Sequence, residues 1–151
     1  MVTMVKRKLT PNKFFTEEDK DRIVQAIRRA EGRTSGEIRV YLEGRLRGGM
    51  MDRARKVFEK LGMTKTRLRN GVLIYFSLKG RAFAILGDQG IHGKVGDNFW
   101  KEIVSAMQEP FSRDDFAGGL EAGIQKIGER LARYFPRRAR DVNELPDEIK
   151  E

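Results

Sequence analysis

Two uninterrupted apolar segments, residues 72–76 and 82–86, constrain the fold more than any other part of the sequence. Each has the length of a strand, and the short stretch between them, residues 77–80, can form a hairpin turn. Strands without alternation of polar and apolar residues are typical of sheets that helices cover on both faces. We therefore expect an antiparallel hairpin whose two strands lie at the centre of a sheet.

The segments that precede the hairpin predict a helix, a strand and a second helix. Thr16, followed by three acidic residues, is typical of a helix N-terminus, and Gly32 ends that helix. Residues 37–43 alternate between apolar and polar side chains, which predicts a strand with one more polar face. Apolar residues then recur at helical spacing from Met51 until Gly62 ends the second helix.

Two further helices are expected after the hairpin. The first begins at Asp97 or Asn98, either of which can cap it, and ends at Pro110. Ser112 is then expected to cap the last helix, with Asp115 completing a box-like pair. Four glycines inside this last helix predict close packing of its backbone against the sheet: Gly118, Gly119, Gly123 and Gly128.

The order of these elements predicts an α/β fold. A strand–helix–strand crossover joins two parallel strands, and the hairpin adds an antiparallel one. We expect a three-layer αβα sandwich with a small mixed sheet, made of a parallel crossover pair plus an antiparallel hairpin. This domain spans residues 14–136 of the 151, with a basic segment, residues 1–13, before it and a polar, acidic tail, residues 137–151, after it.

The charge of the chain is unevenly distributed. The formal net charge is +9, but residues 141–151 carry −4, so residues 1–140 carry +13. Such a surplus can attract nucleic acid or an anionic membrane, and it equally serves solubility. The basic residues are scattered and not interleaved with aromatic ones, which favours the solubility interpretation. Electrostatic contact with nucleic acid or an anionic membrane stays open as an alternative, through residues 6–8, 45–56 and 130–140.

Cysteine is absent from the chain, which excludes thiol nucleophiles, disulfides and thiolate metal sites. The stretch after the basic cluster 6–8, residues 9–15, is too short and too polar for the apolar core of a signal peptide. We therefore expect a cytoplasmic protein, and we expect it to be a monomer.

Polar side chains are expected to converge at one edge of the sheet. The first two strands start at Glu37 and Asn70, and the antiparallel third strand ends at Asp88, so these three residues should meet. The glycine-rich loop of residues 87–96 follows at the same edge. The convergent set is Thr34, Ser35, Glu37, Asn70, Asp88, His92 and Asp97, with Asp114 and Asp115 as further candidates.

Carboxylate and amide oxygens of this kind suit Ca²⁺, with Mg²⁺ as the alternative, and disfavour Zn²⁺. We therefore predict a divalent-cation site with these candidate ligands: Glu37, Asn70, Asp88, Asp97 and Asp115. Ordinary structural roles stay open for the four acids, with Asp97 and Asp115 as helix caps, Asp88 in a turn and Glu37 as a solvated strand residue.

Known nucleotide-binding loops do not match this chain. Glycines recur every three residues from Gly87 to Gly96, a spacing that fits neither the dinucleotide fingerprint nor the P-loop. We therefore expect no nucleotide cofactor.

Four short motifs occur together in the order and spacing of a known family. They are residues 34–38 (Thr-Ser-Gly-Glu-Ile), 69–73 (Arg-Asn-Gly-Val-Leu), 87–91 (Gly-Asp-Gln-Gly-Ile) and 111–120 (Phe-Ser-Arg-Asp-Asp-Phe-Ala-Gly-Gly-Leu). Through them the chain resembles a soluble, cytoplasmic bacterial-type member of the TPM domain family. The family is also called TPM phosphatase and was formerly a domain of unknown function. The resemblance covers roughly residues 14–135.

The resemblance implies calcium binding, as reported for bacterial relatives, and acid phosphatase activity, as reported for a plant relative that takes part in photosystem repair. It also implies a role in modulating or repairing other proteins. We therefore expect an accessory, assembly or repair factor that binds a divalent cation and acts on an unidentified protein partner. The alternative is a metal-dependent, acid-phosphatase-like hydrolase, in which Asp88 or Asp115 activates water and Arg69 or Lys94 binds the anion.

Overall fold

The computed structural model describes residues 14–137. The predicted basic segment and all but the first residue of the predicted acidic tail lie outside these residues. The basic stretch 6–8 and the last three residues of the basic stretch 130–140 also lie outside them. The helices and strands are α1 (Glu17–Glu31), β1 (Glu37–Glu43), α2 (Met50–Lys60), β2 (Gly71–Ser77), β3 (Ala82–Gly87), α3 (Gln89–His92), α4 (Asp97–Ser112) and α5 (Phe116–Tyr134), with one 3₁₀ turn at Met63–Lys65.

The three strands form one mixed sheet in the order β1-β2-β3. β1 and β2 are parallel, with Glu37 opposite Gly71. β2 and β3 are antiparallel, with Val72 opposite Gly87. The predicted combination of a parallel crossover pair and an antiparallel hairpin is therefore confirmed.

Helices cover both faces of the sheet, which makes three layers. On one face, Ile38, Val40 and Ile74 belong to a large core with α1, α4 and α5. On the other face, Tyr41 and Tyr75 belong to a smaller core with α2 and the 3₁₀ turn. The predicted αβα sandwich is therefore confirmed, with most of the helical mass on one side.

The two strands of the hairpin differ in their position. β2 is buried along its whole length, as expected for a central strand. The prediction that β3 is also central was wrong, because the crossover places β1 on the other side of β2 and leaves β3 at the sheet edge. Five of its six residues are accordingly only partly buried.

β1 has the more polar face that was predicted, and this face is buried, including Glu37, for which the role of a solvated strand residue had stayed open. Arg39 is 2% exposed and Tyr41 is 6% exposed, because α2 crosses over this side of the sheet. The alternation of polar and apolar residues along β1 therefore corresponds to one polar face and one apolar face, both of them buried.

The helix ends follow the sequence only in part. Thr16 caps α1, as the sequence predicted, and it forms a capping box with Asp19. Pro110, however, lies inside the last turn of α4, which ends only at Ser112. Ser112 therefore does not cap α5; the cap is Asp115, whose carboxylate accepts a hydrogen bond from Gly118 N at 2.9 Å.

Three of the four glycines in α5 allow close approach to other helices and not, as predicted, to the sheet. A Cβ added to Gly128 would lie 2.7 Å from the Cβ of Ala30 on α1. At Gly119 it would lie 2.0 Å from the ring of Phe111, at the end of α4. The small residues therefore set the distance between neighbouring helices.

Candidate functional site

Three polar residues lie where β1 and β2 begin and β3 ends, a region we call the amino edge. Glu37 and Gly71 are paired in the parallel register, and Asp88 N donates a hydrogen bond to Gly71 O at 2.9 Å. Glu37, Asn70 and Asp88 are 4%, 2% and 6% exposed. The predicted convergence of these strand ends is therefore confirmed, and the three residues there are buried.

Asp88 forms a bidentate ion pair with Arg69. The guanidinium of Arg69 donates two hydrogen bonds to its carboxylate, Nε to Oδ2 at 2.6 Å and Nη2 to Oδ1 at 2.8 Å. Oδ1 also accepts a hydrogen bond from Gln89 N at 2.8 Å, which starts α3. The hydrogen bonds that Arg69 donates to Asp88 raise the pKa of Arg69 above its ordinary value. The charge of Asp88 is therefore already balanced by a cation from the same chain.

The glycine loop packs against the segment that carries Arg69. A Cβ on Gly90 would lie 2.2 Å from Leu68 O and 2.6 Å from Arg69 O, and Gly90 N donates to Arg69 O at 2.9 Å. Arg69 itself has a left-handed backbone conformation, with φ of 52°. Glycine is therefore required in this loop for the close approach of two backbones.

The carboxyl-terminal end of the described chain closes the amino edge. The Thr34 hydroxyl donates to Phe135 O and accepts from Gly36 N at 3.1 Å, while Ser35 N donates to Phe135 O at 2.9 Å. The Ser35 hydroxyl accepts from the Asn70 amide at 3.4 Å. Both hydroxyls expected here are present, and they hold structural hydrogen bonds.

Asp115 does not belong to this edge. It precedes Phe116, whose ring lies 5.7 Å from that of Phe76, near the far end of β2. A strand of seven residues spans about 20 Å, so Asp115 lies at the opposite end of the sheet from Asp88. Asp114 lies beside it in the same turn, with φ of 60°.

The remaining predicted residues flank the amino edge without closing around one point. Asp97 is exposed at the start of α4. The Lys94 ammonium lies 4.6 Å from the centre of the Phe135 ring, and His92 Nε2 lies 3.0 Å from Gly87 O. Within residues 14–137, no group of three or more His, Asp or Glu side chains is arranged to hold a metal ion.

A second polar cluster, which the sequence analysis did not identify, lies where β1 ends. The Glu43 carboxylate accepts hydrogen bonds from Arg53 Nε at 2.6 Å, from Arg53 Nη2 at 3.0 Å and from the Tyr75 hydroxyl at 2.7 Å. The hydrogen bonds from Arg53 lower the pKa of Glu43, and burial raises the pKa of Tyr75. The tyrosine in the central apolar run of β2 was the one signal of a partly buried polar partner.

Among residues 14–137, no helix combines the length and the apolar composition that a membrane span requires.

Comparison with known proteins gives two kinds of match. The family model described as the TPM domain matches residues 10–130. The fold is similar to the NMR structure of the BA42 protein from the psychrophilic bacterium Bizionia argentinensis, with a TM-score of 0.89 and 45% identity over 93% of this chain and 97% of that one. It is also similar to the N-terminal domain of a protein from P. gingivalis, with a TM-score of 0.62 and 17% identity over 80% and 78% of the two chains, a likeness of fold alone. No curated protein matches the chain.

Proposed function

The chain belongs to the TPM domain family, and from this premise we propose that it binds one divalent cation at the amino edge and acts as an accessory factor for another protein. The observation that carries the proposal is the convergence of Glu37, Asn70 and Asp88, three buried residues with oxygen-bearing side chains, at adjoining strand ends. Carboxylate and amide oxygens are the ligand atoms that Ca²⁺ and Mg²⁺ prefer in proteins.

Calcium suits this set better than magnesium. The amino edge offers only the carboxylates of Glu37 and Asp88 and the amide of Asn70, so further ligands have to come from backbone carbonyls or water. Ca²⁺ accepts such mixed oxygen sets in flexible geometry, whereas Mg²⁺ demands a near-ideal octahedron. Asp115 is left out of the proposed ligands because it caps α5 at the other end of the sheet.

Arg69 competes with the proposed cation. Its guanidinium binds both oxygens of Asp88, so a cation that uses Asp88 has to displace Arg69 or share the carboxylate with it. Binding would then release the Arg69 side chain, which is already one-third exposed, toward solvent. A cation-dependent change of this surface would be a direct means of signalling to a partner protein.

The test is a titration of the protein with CaCl₂ and MgCl₂ in which the melting temperature is followed. Cation at a hundredfold excess over Kd should stabilise the fold by about 2.7 kcal/mol. Glu37→Gln should abolish the calcium response, while Asp115→Asn, which keeps a capping side chain, should retain it. The proposal is wrong if millimolar calcium leaves the melting temperature unchanged or if the response survives in Glu37→Gln.

The phosphatase alternative stays a prediction, as do the cytoplasmic location and the monomeric state. Hydrolysis would require the same metal to activate water and a cationic side chain to bind the phosphate. Of the two residues predicted for that second role, Arg69 binds Asp88 and Lys94 lies over an aromatic ring. Assay of the calcium-loaded protein with a generic phosphate ester, with Asp88→Asn as the comparison, tests it.

A further inference from the structure

A basic cleft lies at the opposite end of β1 from the amino edge. It has a volume of about 490 Å³ and is bounded by the loop after β1 and the first turns of α2. Its lining consists of Glu43, Arg45, Arg47, Gly48, Gly49, Asp52, Arg53 and Lys56. Four of these eight residues are cations and two are acids, so the cleft has a net positive charge.

The two acids of the cleft are already paired with arginines. Glu43 accepts two hydrogen bonds from Arg53. Asp52 forms an exposed ion pair with Arg55, a residue outside the cleft lining, at 3.3 Å. The net charge that remains is carried by Arg45, Arg47 and Lys56, all of them exposed. An anion that enters the cleft therefore meets cations whose attraction is little reduced by the acids.

The start of α2 adds to this field. The N-cap of α2 is Gly49, which has no side chain to accept hydrogen bonds from the first backbone N–H groups. Those groups and the positive end of the helix dipole favour an anion. One carboxylate, that of Asp52, already lies in this first turn, and it is paired with Arg55. Gly48 beside it has φ of +80°, a left-handed conformation that suits glycine, and a Cβ there would meet no atom within 4 Å.

We propose that this cleft binds the phosphate group of a small, soluble phosphate compound. Arginine forks pair with phosphate oxygens through two parallel hydrogen bonds, and two arginines stand here within three positions of one loop. The volume lies within the range of pockets for small ligands, roughly 300–1,000 Å³. Among the described residues that line the cleft none is aromatic or large and apolar, which disfavours nucleic-acid bases and lipid chains.

The first experiment uses inorganic pyrophosphate as the probe, in buffer with EDTA so that no divalent cation takes part. The full chain, labelled with ¹⁵N, is titrated while backbone amide signals are recorded. The amides of residues 48–53 should shift in a saturable manner. Those of residues 87–96, at the amino edge, should not. Absence of shifts in residues 48–53 at millimolar pyrophosphate overturns the proposal.

Matched variants then separate a cleft from a diffuse effect of charge. Arg45→Gln combined with Arg47→Gln should weaken pyrophosphate binding about tenfold or more, since two charge-assisted partners are lost. Lys101→Gln combined with Arg133→Gln removes the same charge from exposed positions on α4 and α5 and should leave binding unchanged. Equal weakening by the two double variants overturns the proposal. Glu43→Gln should tighten binding, because Arg53 then pairs with a neutral side chain.

Two parallel titrations distinguish other sources of phosphate. A short DNA duplex and vesicles of phosphatidylcholine with phosphatidylserine are offered to the same protein. The proposal is overturned if the protein binds DNA or vesicles but not pyrophosphate, and if this binding is lost in the double variant of Arg45 and Arg47. The cleft would then be part of a surface that binds polyanions. Binding of pyrophosphate alone supports it. Because the cleft and the amino edge are separate, loss of the calcium response leaves this result untouched.

Discussion

Arg69 and Asp88, nineteen positions apart in the chain, form a bidentate ion pair that joins the start of β2 to the end of β3. The carboxylate is almost completely buried, whereas 36% of the arginine side chain is exposed. The pair therefore has a buried acid that requires a cation and a surface cation that can leave. A cation that bound Asp88, as proposed above, would therefore compete with Arg69 for the carboxylate.

Replacement of Arg69 by glutamine should lower the stability of the metal-free protein and increase its affinity for calcium. The buried Asp88 loses its partner, and a unit of positive charge that repels a second cation is removed. We expect calcium to bind about tenfold tighter or more. The measurement is the melting temperature of the wild type and the variant across a calcium titration.

Arg113→Gln is the control for the change of net charge. Arg113 pairs with Glu109 on the exposed surface of α4, at the other end of the sheet. It should leave the calcium response as it is in the wild type. Calcium affinity in Arg69→Gln equal to or below that of the wild type would show that Asp88 is not a ligand.

Glu43→Gln should destabilise the protein by about 1–2 kcal/mol at neutral pH and have little effect in acid. The pKa of Glu43 is lowered by hydrogen bonds from Arg53 and lies below its ordinary value of 4.5. Ionised Glu43 therefore stabilises the fold fully above that value, and the contribution is lost as the pH falls through the folded-state pKa. Urea unfolding from pH 7 to pH 3 measures both proteins.

The difference in unfolding free energy between wild type and Glu43→Gln should therefore shrink on acidification. Asp52→Asn, which alters an exposed ion pair nearby, should show no comparable change. A difference that stays constant across the pH range would mean that the carboxylate charge of Glu43 contributes nothing to stability.

The amino edge could be predicted from the sequence because strand direction follows from connection length. A helical crossover makes two strands parallel, a short turn makes two antiparallel, and strand ends then fall at known edges. Glu37, Asn70 and Asp88 were placed together on that ground alone. Their burial was not predicted, since it depends on which elements cover the edge.

Asp115 was misplaced because the length of α4 was not taken into account. The helix expected from Asp97 to Pro110 already spans about 21 Å, and α4 with its 16 residues spans about 24 Å. That length carries the chain from the amino edge to the far end of the sheet.

The pairing of Arg69 with Asp88 also depends on the left-handed backbone at Arg69, and no sequence rule predicts that conformation for an arginine.

Thr34→Val should destabilise the protein by about 1–3 kcal/mol, because it removes a buried hydroxyl that joins two backbone groups. That hydroxyl donates to Phe135 O and accepts from Gly36 N. Valine has nearly the same shape, so packing changes little. Thr34→Ser keeps the hydroxyl and should cost less than about 1 kcal/mol. Urea denaturation compares the two variants, and equal losses would mean that the hydroxyl contributes no more to stability than the methyl group does.

Gly128→Ala should destabilise the protein although alanine favours helices. The new Cβ would lie 2.7 Å from the Cβ and 2.9 Å from the Cα of Ala30, and a backbone atom cannot move aside as a flexible side chain can. Overpacking of this kind costs about 1–3 kcal/mol. The gain in helix propensity is only about 1 kcal/mol.

Gly93→Ala is the matched control, because a Cβ there would meet nothing within 4 Å and the backbone has an ordinary right-handed conformation. It should be neutral or stabilise by up to about 1 kcal/mol. Thermal unfolding of the two variants side by side measures the contrast, and a Gly128→Ala protein as stable as the wild type would show that α1 and α5 can separate without loss.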